Sequence, residues 1–250
     1  MKNSKNKVAL ITGGSRGIGS AISLQLSNMG YTVIINYNNE KESAKKVLKK
    51  VLGRKGNGVC FKADISQYEK IENMFEFIIK EFGCLDVLVN NAGYAPIVET
   101  AKIDENSWDH ILSVNLKSAF FCSQKAMAIM KKEGQGKIIN IGSQAGITGG
   151  FHSGAHYAIA KGGINTLTKR LAVEGAPYNI LVNCVSPGII ETDGVNVYPD
   201  GVIKDLVAKI PLGRMGTVSD VANVVSFLVS EKSNYLTGIN IPVNGGIYMN

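Results

Sequence analysis

Val8-Ala-Leu-Ile-Thr-Gly-Gly-Ser-Arg-Gly-Ile-Gly19 contains three signals in order. The apolar run from Lys7 to Thr12 is short and rich in strand formers. Thr12–Gly19 is a glycine-rich turn. Helical periodicity follows, through Ile18, Ala21, Ile22, Leu24, Leu26 and Met29, and Gly30 closes it. Strand, glycine turn and helix together open a nucleotide-binding βαβ unit. Glycines let the backbone approach a pyrophosphate, and the helix N-terminus offers N–H donors and positive potential. The spacing is Gly13-x-x-x-Gly17-x-Gly19, not G-x-G-x-x-G. A bare strand–helix connection is the bland alternative, so the surrounding pattern has to decide.

That pattern alternates to the end of the chain. Apolar runs at Tyr31–Ile35, Val59–Ala63, Leu85–Val89, Lys137–Ile141, Ile180–Val185 and Asn240–Val243 predict strands. Amphipathic stretches at about 39–53, 67–82, 105–132, up to Gly175 and 218–230 predict helices, and 189–215 should hold a short one. Strands apolar along their whole length imply a parallel sheet covered on both faces. Ligands of such sheets bind outside the carboxyl ends of the strands. Thr12–Gly19, Asn36–Asn38, Asp64-Ile65, Asn90–Gly93, Ser143 and Pro187-Gly188 all fall at such ends and should converge on one edge. With 250 residues and neither linker nor internal repeat, the chain reads as one domain, 1–250.

Composition excludes several classes. No apolar run reaches membrane-spanning length, and the basic start lacks a signal peptide's apolar region and cleavage site. Cys60, Cys84, Cys122 and Cys184 lie far apart in apolar settings, which suits reduced, buried thiols in a cytoplasmic protein. The formal charge of +7 is concentrated in Lys45, Lys46, Lys49, Lys50, Arg54 and Lys55. These interleave with Val47, Leu48, Val51 and Leu52, as on an amphipathic helix with a solvated basic face. No recognition motif accompanies them, so nucleic acid is not the expected partner.

Tyr157-Ala-Ile-Ala-Lys161 carries the chemistry. Residues four apart share one face of a helix. A free phenol titrates near pH ~10. An adjacent ammonium favours the phenolate, bringing the proton donor nearer the operating pH. Such a pair can give a proton to a carbonyl oxygen or take one from an alcohol. Tyr37-Asn-Asn-Glu-Lys41 repeats the spacing, so spacing alone does not decide.

The motif set does. Thr12-Gly-x-x-x-Gly-x-Gly19, Asn90-Asn-Ala-Gly93, Asn115, Ser143, Tyr157-x-x-x-Lys161, Pro187-Gly188 and Thr192, in this order, resemble the short-chain dehydrogenase/reductase superfamily from end to end. The ending Val243-Asn-Gly-Gly-Ile-Tyr-Met249 adds a likeness to 3-oxoacyl-[acyl-carrier-protein] reductases. The resemblance implies a Rossmann-type doubly wound α/β fold of about seven parallel strands with helices on both faces. It implies NADP(H), an acyl-carrier protein or a small molecule bearing the carbonyl, and a homotetramer built on helices 105–132 and 155–175.

Roles follow from the same resemblance. Tyr157 would be the general acid. Lys161 would lower its pKa and hold the nicotinamide ribose. Ser143 would polarise the substrate carbonyl, and Asn115 would hold a water linking Lys161 to solvent. Gly13, Ser15, Arg16, Gly17, Ile18 and Gly19 would cradle the pyrophosphate. Asp64 and Ile65 would sit at the adenine, and Asn91, Ala92 and Gly93 along the cofactor. Ile190 and Thr192 would meet its carboxamide end, and Tyr37, Pro187 and Gly188 belong to the cofactor-binding set. Where a carboxylate would select NADH, strand two ends in Tyr37, so with Arg16 nearby NADPH is expected.

The chain departs from the pattern in places. Ser143 and Tyr157 are fourteen apart, where thirteen is commoner. Docking arginines of carrier-protein reductases map near Glu133/Gly134 and onto Tyr178, with Lys131, Lys132, Lys169 and Arg170 close by.

Rival readings are weaker. Gly142-Ser-Gln-Ala-Gly146 is not a G-x-S-x-G elbow, so His152 and His156 do not make Ser143 a hydrolase nucleophile. Two histidines four apart lack a third metal ligand. A small-ketone or sugar reductase, or a non-catalytic NADP-binding regulator, shares the fold.

Overall fold

Parallel strands with both faces buried need helices above and below, and the chain supplies them in alternation. The computed structural model describes residues 7–150, 153–192 and 201–249. The strands are β1 (Val8–Ile11), β2 (Thr32–Tyr37), β3 (Asn57–Lys62), β4 (Val87–Asn90), β5 (Gly136–Ile141), β6 (Ile180–Pro187) and β7 (Asn240–Val243). They form one seven-stranded sheet in the order β3-β2-β1-β4-β5-β6-β7, every pair parallel. The order reverses between β1 and β4, where a crevice opens at the carboxyl ends.

The helices are α1 (Gly17–Asn28), α2 (Lys41–Gly53), α3 (Tyr68–Phe82), α4 (Glu105–Leu112), α5 (Ser118–Glu133), α6 (Ala145–Thr148), α7 (Ala155–Gly175), α8 (Val202–Ala208) and α9 (Val218–Val229). Alternate residues of each strand feed two separate cores. Ala9, Ile11, Val33, Ile35, Val87 and Val89 pack with Ile22 and Leu26 of α1, Val47 and Val51 of α2 and Val225 of α9. Val8, Leu10, Ile34 and Leu88 face the other way, against Ile71 and Ile78 of α3, Met127 and Met130 of α5 and Leu171 of α7. The two-residue period of the strands thus sorts the helices into two layers.

One expected element differs. The single long helix over 105–132 is broken by a π turn at Ser113–Lys117. The Asn115 amide donates to the Ile111 carbonyl at 3.1 Å, the group that the regular ladder would pair with the Asn115 N–H. A side chain inserted into the ladder in this way widens the turn. The short helix expected within 189–215 is α8, and residues 193–200 of that stretch lie outside the described residues. The Tyr37/Lys41 spacing is not a helical pair, since Tyr37 ends β2 and Lys41 begins α2. All four cysteines are free thiols, Cys60 partly exposed and the others buried. No helix among the described residues is long and apolar enough to cross a membrane.

Candidate active site at the carboxyl edge of the sheet

The crevice is pinned from three strands. Thr12 Oγ1 donates to the Val89 carbonyl at 3.3 Å and accepts from the N–H groups of Asn91 at 2.9 Å and Ala92 at 3.1 Å. The Asn91 amide returns the bond to the carbonyls of Thr12 (2.9 Å) and Gly13 (3.1 Å). Asn36, buried at the end of β2, accepts from Gly13 N–H at 3.3 Å and donates to the Ala63 carbonyl at 3.1 Å. Thr12 and Asn36 had no assigned task from sequence. Their signal is a polar residue closing an otherwise apolar strand.

The glycine turn is tight because its neighbours leave no room. A Cβ on Gly19 would meet the Gly13 carbonyl oxygen at 2.3 Å and Asn91 Nδ2 at 2.5 Å, and Gly13 has φ of 61°. Beyond the turn, α1 begins without a side-chain cap from Arg16 and without an acidic residue in its first turn. An N-terminus left open in this way suits a pyrophosphate. Ser15 is buried in the turn, and Ile18 is half-buried at the helix start. Arg16 is exposed, with Nη1 3.9 Å from Glu40 Oε1, a pair of the kind that contributes little to stability. The loop after β6 crosses to meet the turn: Thr192 Cγ2 lies 3.5 Å from where Gly17 would carry a Cβ. Ile190 is buried and bridges to Gly216, with Glu191 N–H bonded to the Gly216 carbonyl at 2.8 Å.

Tyr37, Asp64 and Ile65, expected on the adenosine side, lie at or just beyond the ends of β2 and β3. Tyr37 is 8% exposed, packed in the core with α2. Asp64 spends its carboxylate on Ser66 N–H at 3.0 Å and Ser66 Oγ at 2.7 Å, a turn leading into α3. Ile65 is buried beneath that turn.

Asn115, Ser143, Tyr157 and Lys161, the residues expected to handle the proton, lie near the ends of β4, β5 and β6. Lys161 reaches inward from α7, is 4% exposed, and donates to the Ile141 carbonyl at 2.8 Å. Its ammonium lies 5.8 Å from the Tyr157 ring centre, on the same helix face. Burial brings the Lys161 pKa down to about 8, opposed by the nearby Cys184 thiol, whose own pKa burial raises. A Cβ on Gly93 would stand 2.8 Å from Asn115 Oδ1 and 3.4 Å from Lys161 Nζ, so this glycine lets the two side chains share one space. The π turn aims Asn115, whose amide also bonds the Tyr94 carbonyl at 3.0 Å and accepts from Tyr94 N–H at 3.2 Å.

Ser143 Oγ accepts from Ala145 N–H at 3.1 Å, which leaves its own proton to donate. Ser143 and Tyr157 line one cleft of about 180 Å³ with Pro187, Gly188 and Leu206. The stretch carrying the unusual fourteen-residue separation contains α6 and two consecutive left-handed glycines, Gly149 (φ 85°) and Gly150 (φ 78°). His156 is not a nucleophile's partner: it is fully buried in α7, with Nε2 3.2 Å from Ser107 Oγ. His152 lies outside the described residues. No group of three metal-binding side chains occurs among the described residues.

Comparison with known proteins then decides the family. Residues 13–248 match the family model described as Enoyl-(Acyl carrier protein) reductase. The chain belongs to the short-chain dehydrogenase/reductase superfamily. The 3-oxoacyl-[acyl-carrier-protein] reductase of Staphylococcus aureus strain Mu50 is 40% identical over 243 residues, covering 97% of this chain and 98% of the relative. Its Staphylococcus epidermidis RP62A counterpart is 39% identical over 244 residues, 98% of this chain and 100% of the relative. A structure described as a short-chain alcohol dehydrogenase from Sinorhizobium meliloti 1021 superposes with a TM-score of 0.90 at 32% identity, over 98% of this chain and 97% of that one. This short-chain dehydrogenase/reductase is therefore an oxidoreductase of a nicotinamide-binding class, and the uncapped end of α1 beside Gly13 and Gly17 fits such a dinucleotide.

The glycine geometry gives a direct test. Gly19→Ala should weaken nucleotide binding at least tenfold in a fluorescence titration, because the new methyl displaces the Gly13 carbonyl and the Asn91 amide. Gly53→Ala, at the end of α2 with nothing within 4 Å of a new Cβ, should leave binding unchanged.

Proposed function

We propose that this oxidoreductase reduces a 3-oxoacyl thioester, carried by an acyl-carrier protein, to the 3-hydroxyacyl form with NADPH. The observation that carries the reading is the shared cleft of Ser143 and Tyr157 with the buried Lys161 ammonium behind it. Bound nicotinamide supplies the hydride. The Ser143 hydroxyl donates to the carbonyl oxygen, which favours charge developing there. The Tyr157 hydroxyl gives that oxygen its proton. The neighbouring Lys161 cation stabilises the phenolate left behind, and Asn115, which shares the space at Gly93, belongs to the route by which the proton is replaced. A hydroxyl pair aimed at an oxygen suits carbonyl reduction, as named for the Staphylococcus relatives, better than the carbon–carbon double bond in the family model's description.

Tyr157→Phe should lower kcat about a hundredfold or more while nucleotide still binds. The reductive kcat/KM should hold below about pH 8 and fall as the pH rises through it, because Lys161 is cationic only below its pKa. A Tyr157→Phe enzyme with near-normal turnover would falsify the mechanism.

The NADPH reading rests on exposed Arg16 at the adenosine side and on the absence of a carboxylate at the end of β2, where Tyr37 stands. Arg16→Ala should raise the Kd for NADPH more than that for NADH. Equal wild-type use of the two cofactors counts against it.

The carrier reading draws on the relatives' names, the net charge of +7 and a basic patch at the end of α5. There Lys131 and Lys132 fill the last turn of α5, and Lys131 Nζ stands 4.8 Å over the exposed Tyr178 ring. At low salt, kcat/KM for the carrier-linked substrate should exceed that for an acetoacetyl thioester, and the advantage should shrink with added salt or with Lys131→Glu. Equal rates at low salt would leave a reductase of small ketones.

The same reading assigns a cytoplasmic homotetramer, supported by exposed Trp108 of α4, Phe120 of α5 and Ile159 of α7. Light scattering at micromolar protein should give the mass of four chains. A monomer overturns the assignment.

A further inference from the structure

Gln144 stands between Ser143 and α6. Its backbone is pinned: the N–H donates to the Pro187 carbonyl at 3.0 Å, and its carbonyl accepts from Thr148 Oγ1 at 3.2 Å. The residue is 9% exposed and lines the cleft that holds Ser143 and Tyr157. Its Oε1 lies 3.3 Å from the point where Gly188 would carry a Cβ, so the amide rests against the loop after β6. Yet the side-chain amide makes no hydrogen bond with any described residue. The side chain is largely buried, and an amide that opens onto a binding cleft without a protein partner offers a ligand both a donor and an acceptor. Ser153 Oγ, on the same cleft wall, is buried without a partner. Leu206, Ile189 and Ile247 make other parts of the wall apolar.

We propose that Gln144 is a specificity-determining residue whose amide N–H bonds a second oxygen acceptor on the substrate, close to the carbonyl being reduced. The naming of that acceptor rests on the function proposed above: in a 3-oxoacyl thioester it is the thioester carbonyl oxygen. The requirement for an acceptor rests on Gln144 alone. A site that buries an unpaired amide when the acceptor is missing discriminates more strongly than alkyl contacts do. Gln144 therefore selects 1,3-dicarbonyl substrates over plain ketones in a cleft whose remaining wall would take either.

The test compares two substrates of matched length. One is an acetoacetyl thioester, and the other is the ketone in which a thioether CH₂ replaces the thioester carbonyl. In Gln144→Leu, and in the better-matched Gln144→Met if the first folds poorly, kcat/KM for the thioester should fall ten- to a hundredfold. That for the thioether ketone should change less than threefold, with NADPH affinity unchanged. Equal loss on both substrates, or no loss on either, overturns the proposal. If the wild type reduces the thioether ketone but not the thioester, the substrate reading fails separately. The same ratio, measured with a hydroxyketone and its deoxy analogue, then decides Gln144: a selective loss upholds it and an unselective one ends it.

Discussion

The exchange of hydrogen bonds between Thr12 and Asn91 is the constraint from which the rest of the site follows. It ties the ends of β1 and β4 together at the point where the strand order reverses. Without it, the glycine turn and the Asn90–Gly93 segment would be independent loops, each with buried backbone groups to satisfy. With it, Gly13 and Gly19 lie against Asn91, the uncapped start of α1 is fixed relative to β4, and Asn36 extends the pinning to β2 and β3. A dinucleotide meets a surface already in place, so less ordering entropy opposes its binding.

Lys161 depends on that platform. A buried ammonium is costly unless its hydrogen bonds are met. Here the Ile141 carbonyl at the end of β5 meets one of them, and Gly93 keeps the space beside it clear. Asn115 shares that space from within the π turn at Ser113–Lys117. The lowered pKa of Lys161 is the cost of this burial, and the same cost places its titration near the physiological range. A strand end, a missing side chain and a helical defect therefore meet at one buried ammonium.

Much was legible in the chain itself. Strands apolar along their whole length and glycines at the first turn determine a parallel doubly wound sheet and the edge at which its polar clusters gather. These are local patterns, set by period and by residue type, so no folded structure is needed to see them. Tertiary structure alone decided the rest, because each item is a meeting of segments distant in sequence. Asn115 reads as an ordinary mid-helix residue until Tyr94 and Gly93 are brought against it. Tyr37 reads as the residue standing in a carboxylate's place, and only the fold shows α2 packed against it; only the fold likewise shows Asp64 joined to Ser66 in a turn. Gln144 carries no signal in sequence, since an unpartnered amide is defined by what surrounds it. Only the packing of α6 against the loop after β6 places that amide on the cleft wall without a partner among the described residues.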